Sequence, residues 1–299
     1  MITILGSINL DLIGTVERLP RPGETVSGGA FATAPGGKGA NQALAARRAG
    51  AQVRMIGAVG RDPFADPALS LLQAGGVDLA QLRQVEGPTG VALILVDGNG
   101  ENVIAVMPGA NGTVDAAAAA ELDFTPEDVL LLQLEVPVPA IAVAANRAKE
   151  LGARVLLNFA PFHAGALPLL PHVSHLIVNE SECALIAEAA GLAAGSVEEQ
   201  AVGLAQTFGL TVIATLGRDG VLAVEQGSTI RAEALPVRAV DTVGAGDTFC
   251  GYLAAGLSEG LALDAAMSLS AAAASLACTR SGAQPAIPLR AEVERALSR

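Results

Sequence analysis

The segment Asp241-Thr242-Val243-Gly244-Ala245-Gly246-Asp247 runs directly into an apolar stretch, TFCGYLAAGL, that reads as a helix. Gly244 and Gly246 let the backbone bend tightly and turn its N–H groups inward. A helix start adds free N–H groups and the positive end of a dipole, so the segment can hold an anion such as a phosphate. Asp247 stands at the mouth of that site. A carboxylate there can accept a proton from a hydroxyl as the hydroxyl attacks a phosphorus held by the amides. The competing reading makes Asp247 a plain helix N-cap, which the paired glycines and the upstream Asp241 disfavour.

A second cluster, Pro35-Gly36-Gly37-Lys38-Gly39-Ala40-Asn41, also leads into a helix. Its glycines let a substrate lie against bare backbone, and Asn41 offers hydroxyls both a donor and an acceptor. Gly39 follows Lys38 where a Walker A loop needs Ser or Thr, so this is not that phosphate loop; the alternative is a flexible turn. Asn9 and Asp11 lie two apart at the carboxyl end of the first strand. In an extended chain they face the same way and can grip adjacent hydroxyls of a sugar, or they form an Asx turn. Glu135 ends the strand VLLLQLE on the same rim. Asn179 and Glu182 open a helix with Asn-x-x-Glu spacing, which suits a capping box and a metal-phosphate site equally. Thr215-Leu216-Gly217-Arg218-Asp219-Gly220 is a turn for nucleotide phosphates or only a hairpin.

These residues need a frame that brings them to one rim. Apolar runs at 2–6, 53–59, 129–135, 153–159, 174–179 and 210–217 read as strands, most alternating with helical stretches, the mark of parallel βαβ units. Helices are expected at 38–49, 245–257, 262–278 and 289–298, and a polar turn at 7–11. Segments 14–34 and 88–108, the latter with a hairpin turn at Asp97-Gly98-Asn99-Gly100, read as a small sheet outside the core, placed as a lid. The expected architecture is one doubly wound α/β domain over 1–299 with a mostly parallel sheet flanked by helices. Ligands would bind beyond the strands' carboxyl ends.

Composition excludes several classes. Half the residues are hydrophobic, enough for a large core, but the chain has seven Phe, one Tyr and no Trp, few rings on which to stack bases. With a net charge of −12 and no basic runs, nucleic acid is a poor partner. Cys183, Cys250 and Cys278 are far apart and read as reduced thiols of a cytoplasmic protein. The N-terminal apolar run lacks a basic flank and meets Asp11 early, so neither a signal peptide nor a membrane segment is expected. His163, His172 and His175 lack zinc spacing, and GxSxG and an early GxGxxG are absent, which disfavours hydrolase and dinucleotide-binding readings.

Taken in order, GSINLD at 6–11, PGGKGANQA at 35–43, LQLE at 132–135, NESE at 179–182, TLGRDG at 215–220, DTVGAGD at 241–247 and TRSGAQPAIP at 279–288 resemble the ribokinase-like family of sugar kinases, the PfkB group, over nearly the whole chain. The resemblance implies ATP-dependent phosphorylation of a small sugar at a primary hydroxyl, the 5-hydroxyl of ribose first. Deoxyribose, fructose, 2-keto-3-deoxygluconate or a nucleoside are sister substrates, and a non-catalytic sugar binder is a further alternative. It implies that Asn9, Asp11, Gly37, Lys38, Asn41 and Glu135 line the sugar pocket. Asp247 would be the base and Gly244, Ala245 and Gly246 the anion hole. Asn179, Thr215, Gly217, Gly220 and Gly246 would meet ATP, and Glu182 would hold Mg²⁺ through water. It also implies a monovalent cation, potassium, at Asp241, Val243, Ala277, Arg280, Gly282 and Ala286, and a homodimer joined through the lid sheet. The chain departs at Ala271, where a His or Asn beneath adenine is common, and at Ala286, where Ser is frequent.

Overall fold

Apolar runs of four or five residues are stable as strands only when neighbours cover both their faces, and the helices between them do so. The computed structural model describes residues 1–298. Strand β1 (Ile2–Leu5) is followed by β2 (Asn9–Val16), β3 (Gly28–Gly36), helix α1 (Lys38–Arg48), β4 (Val53–Ile56), β5 (Ala58–Gly60), α2 (Ala65–Gly75), β6 (Arg83–Val85), β7 (Gly90–Val96) and β8 (Asn102–Met107). Then come α3 (Ala116–Ala120), β9 (Val129–Leu132), α4 (Val138–Glu150), β10 (Arg154–Asn158), β11 (His175–Asn179), α5 (Glu180–Ala189), α6 (Val197–Phe208) and β12 (Thr211–Thr215). The chain closes with β13 (Val221–Glu225), β14 (Ser228–Ala232), α7 (Ala245–Ser258), α8 (Leu263–Ala277) and α9 (Arg290–Leu297).

The main sheet has the order β14-β13-β12-β11-β10-β9-β1-β4. Every pair from β12 to β4 is parallel, and β13 and β14 add an antiparallel edge. From β1 the order departs both ways, to β4 on one side and β9 on the other. A crevice therefore opens over the carboxyl ends beside β1, where a doubly wound sheet binds its ligand. Alternation along each strand feeds two apolar layers. Ile2, Ile4, Val129 and Leu131 pack toward α1, α7 and α8, while Leu5, Leu130 and Leu132 pack toward α4, α5 and α6.

A separate four-stranded sheet, β3-β2-β7-β8, lies outside this core, as the alternating segments suggest. Its bounds differ from the sequence reading. Ser7–Asp11 is no polar turn: β2 begins at Asn9, shortly after the end of β1, so the first strand passes almost directly into the second sheet. The polarity that suggests a turn belongs to a buried crossing. There Asn111 accepts from the Ile8 N–H at 2.9 Å and donates to Ile8 O at 3.1 Å and Asn9 Oδ1 at 2.7 Å. The expected strand at 53–59 also divides at Gly57 into β4, in the main sheet, and β5, which pairs with β6. The antiparallel edge at 221–232 adds two strands that the sequence does not separate from the turn before them.

Helices α1 and α7 cross at very close range because Gly251 has no side chain. A Cβ there would lie 2.5 Å from both Ala45 Cβ and Gln42 O. Alanine is the better helix former by about 1 kcal/mol, but overpacking of this kind costs about 1–3 kcal/mol or more. Gly251→Ala should therefore lower stability, read as a fall in the urea midpoint with unchanged slope. An unchanged or raised midpoint would show that the two helices can separate freely.

Candidate active site

Helix α7 starts with Gly244 as its N-cap, in the left-handed region at φ 74°, which places Asp247 in the first turn and leaves the capping position without a side-chain hydrogen bond. The simple N-cap reading of Asp247 therefore falls. Its carboxylate turns instead to α1: Oδ1 accepts from Gln42 Nε2 and Oδ2 from Asn41 Nδ2, each at 2.9 Å. Asp247 is 7% exposed, and that exposure faces a cleft of about 130 Å³ shared with Lys38, Asn179, Glu182, Thr215, Gly244 and Gly246. Of the three amides read as an anion hole, that of Ala245 donates to Thr242 O at 3.2 Å. Among the described residues, no protein group accepts from the N–H of Gly244 or Gly246.

The residues read as a sugar pocket gather beside Asp247. Glu135 accepts from Ser7 Oγ and, at 3.0 Å, from the Lys38 N–H. Asp11 lies against the bare Cα of Gly36, where a Cβ would stand 2.3 Å from its carboxylate oxygens. Burial, aided by the negative charges of Glu135 and Asp247, pushes the Asp11 carboxyl up to about 6. Lys38 is held above its ordinary value, foremost by Asp247 and against the cost of its burial, with Glu135 and Glu182 adding to the effect. Asn41 Oδ1 is buried without a partner, an acceptor suited to a ligand hydroxyl. Asn9 already accepts from Asn111, so it offers its amino group.

A larger cleft of about 680 Å³ adjoins this one through Thr215 and Gly246 and is lined by Gly217, Gly220 and Ala271. The turn Gly217–Asp219 joins β12 to antiparallel β13, so it is both a hairpin connection and a cleft wall. Pro236, Val237, Phe249 and Ala274 make the cleft largely apolar, which suits the flat face of a nucleobase. Asn179 and Glu182 form a reciprocal capping box at the start of α5, with bonds of 2.8 and 2.9 Å. Burial raises the Glu182 carboxyl, against the Asn179 N–H bond and the charge of Lys38.

Asp241 ties two loops together, accepting from the Val243 N–H at 3.0 Å and the Gly282 N–H at 2.8 Å. Val240 and Asp241 also donate to Cys278 O just after α8, which brings Ala277 and Arg280 close by. The Arg280 guanidinium itself turns away to pair with Glu292. Ala286 is fully buried and offers only its carbonyl. Each Asp241 oxygen thus holds one backbone amide, and a carboxylate of this kind is also a donor that a hard cation takes. Among the described residues no three His, Cys, Asp or Glu side chains gather as a metal cluster.

Sequence reasoning missed Gln42, Gln133, Asn158 and Asn111, all buried. The available signal for Gln42 was a polar residue in register with Ala45 and Ala46 on the inner face of α1. Gln133 likewise interrupts an otherwise apolar run.

The raised Asp11 has a consequence for stability. Between the ordinary carboxyl value of 3.8 and about 6, the folded protein holds this proton more tightly than the unfolded chain. Its contribution to stability is therefore greatest below that window and falls as pH rises through it. Asp11→Asn should gain stability relative to the parent, with a larger gain at pH 7 than at pH 4 in urea titrations. An equal effect at both pH values would contradict the raised Asp11 carboxyl that burial, with the neighbouring carboxylates, produces.

The whole architecture has close counterparts. The model of the pfkB family carbohydrate kinases matches residues 1–290. A ribokinase of Haemophilus influenzae is 36% identical over 298 residues, covering 97% of this chain and 96% of the relative. The crystal structure of a Thermotoga maritima ribokinase superposes with a TM-score of 0.88 at 33% identity, over 100% of this chain and 99% of the other. An Arabidopsis thaliana ribokinase complexed with ribose and ATP gives 0.87 at 29% identity, over 100% and 98%. With the glycine-bent start of α7, its carboxylate and the two adjoining clefts now placed in one crevice, the chain belongs to the pfkB family of carbohydrate kinases.

Proposed function

We propose that this chain transfers the γ-phosphoryl group of ATP to the 5-hydroxyl of D-ribose, giving ribose 5-phosphate and ADP. The observation that carries the reading is the place of Asp247: a buried carboxylate at the junction of a polar cleft and a larger apolar one, beside two unpartnered amides at a helix start. The sugar is gripped beside Asp247 by Asn9, Asp11, Gly37, Lys38, Asn41 and Glu135; the polar cleft, walled by Asn179, Glu182 and Thr215, takes the phosphates, and the apolar cleft takes the rest of the nucleotide along Gly217 and Gly220. Asp247 accepts the hydroxyl proton during in-line transfer, and the amides of Gly244 and Gly246 receive the charge of the transferring group. The amide of Ala245 is already engaged by Thr242 O, and the backbone bend is made at Gly244.

Asn179 and Glu182, paired in their capping box on the cleft wall, would lie beside the phosphates, and Glu182 would help hold a magnesium ion that neutralises phosphate charge. Potassium would sit at the joined loops of Asp241, Val243, Ala277, Arg280, Gly282 and Ala286, where it would supply positive charge behind the anion hole. The Asp241 carboxylate, which ties these loops together, supports this. The outer sheet closes over the sugar as a lid, excluding water from the transfer. The three free cysteines support a cytoplasmic setting, and no helix among the described residues is long and apolar enough to cross a membrane.

Purified protein assayed over ribose, deoxyribose, fructose, 2-keto-3-deoxygluconate and nucleosides should turn over ribose with the highest kcat/KM, and faster with potassium than without. A higher value for another sugar would move the assignment to that substrate. Asp247→Asn should bind ribose in calorimetry and lose about 10²–10⁴ in kcat. Ribose binding without ADP formation by the parent protein would make it a sugar binder.

The outer sheet also supports a homodimer. Phe31, Leu93, Val103 and Met107, all more than 40% exposed, share one face of the outer sheet by strand register, more apolar surface than an isolated sheet face is expected to show. Sedimentation at micromolar concentration should give a dimer, and Phe31→Glu with Val103→Glu a monomer. A monomeric parent would remove the lid-sheet interface.

A further inference from the structure

Gln42 is fully buried in α1, as is Gln133 just beyond β9. Its amino group serves two acceptors, Asp247 Oδ1 at 2.9 Å and Asn158 Oδ1 at 3.1 Å, and its oxygen accepts from Gln133 Nε2 at 2.7 Å. Asn158 in turn donates to Ile177 O at 3.3 Å. Three neutral amides, from α1, from β10 and from the end of β9, are thus chained behind one oxygen of Asp247.

The network admits one orientation of Gln42. Turned over, its oxygen would face the oxygens of Asp247 and Asn158, and its amino group would face that of Gln133. Gln42 can therefore only donate to Asp247, and it fixes Oδ1 toward the interior. Oδ2, whose partner Asn41 belongs to the cleft-lining start of α1, is left as the oxygen that meets an incoming hydroxyl. Burying so many amides is not the simplest way to stabilise a core, since replacing all partners of a buried hydrogen bond by apolar groups of the same shape is often neutral. What the amides do provide is a fixed angle for the carboxylate. The charges around it, Lys38, Asp11 and Glu182, act through distance and cannot set that angle.

We infer that Gln42, backed by Gln133 and Asn158, is a positioning residue for phosphoryl transfer: it locks Oδ1 of Asp247 and so aims Oδ2 at the reacting hydroxyl. The inference rests on the reading of Asp247 as the base. A misplacement of about 1 Å in a catalytic group can cost about 10²-fold in rate.

The test is a double-mutant cycle between Gln42→Leu and Asp247→Asn, with kcat and the sugar KM read separately. Gln42→Leu should lower kcat about 10- to 100-fold and leave the sugar KM within about threefold. In the Asp247→Asn background the same change should cost less than about threefold, because its route of action is already gone. Gln42→Glu, of nearly equal shape, is the second variant should the leucine protein fail to fold. It keeps an acceptor for Gln133 but sets a carboxyl against Asp247, so its kcat should fall at least as far as that of the leucine variant. A folded Gln42 variant with kcat within about twofold of the parent overturns the inference, as does an equal loss in both backgrounds, which marks a purely structural role. Near-normal turnover by Asp247→Asn alone removes the base assignment and this inference together. Loss in Asp247→Asn with an indifferent Gln42 removes only the latter.

Discussion

A carboxylate at 7% exposure is tolerable only if its oxygens are given hydrogen-bond donors, since burying an unpaired charge costs several kcal/mol. At Asp247 both donors are neutral amides from the first turns of one helix, Asn41 and Gln42. That requirement constrains much of the molecule. It forces α1 and α7 into the close crossing that Gly251 permits, and it sets the glycine-bent start of α7 beside the start of α1. The two helix starts lie above the β1 crevice, so satisfying one buried charge also assembles the rim.

The electrostatics of that rim favour a particular kind of ligand. Asp11, Glu135 and Asp247 crowd around a single cation, Lys38, and that crowding adds to burial, the larger cause, in raising Asp11 to about 6. A neutral, hydroxyl-rich sugar relieves it, because hydroxyls donate to carboxylates without adding charge. A sugar acid would bring a further negative charge into the same space, which argues against 2-keto-3-deoxygluconate. On the proposed reading the triphosphate would be served by helix-start amides rather than by a cluster of lysines and arginines, in keeping with a chain of net charge −12.

How legible each part was in the sequence follows from how local its cause is. The parallel strands could be read because burial on both faces leaves continuous apolar runs, and the motif around Asp247 because glycines and a helix start act within a few residues. The partners of Asp247 could not, since Gln42 and Asp247 stand 205 positions apart and a lone glutamine in an alanine-rich helix gives no address for its bond. The crossing at Asn9 was misread for the same reason. Its polar residues are satisfied by Asn111, 103 positions beyond Ile8, so local polarity imitated a surface turn. The capping box of Asn179 and Glu182 was legible because its two members are so close along the chain.

On the proposed reading, the passage of β1 into β2 would give the outer sheet a part in the chemistry beyond covering it. Asn9 and Asp11 lie on β2, whereas Glu135, Lys38 and Asp247 belong to the core, so any swing of the outer sheet changes the distance between two halves of one sugar grip. The crossing is held by the Asn111 side chain, which carries both backbone groups of Ile8 and the Asn9 oxygen. A ligand spanning Asp11 and Glu135 favours the closed arrangement by the difference in contacts it makes in the two states. On the proposed reading, closure and sugar recognition would be one event, and the γ-phosphoryl group would meet the carboxylate of Asp247 only when a hydroxyl stands between them.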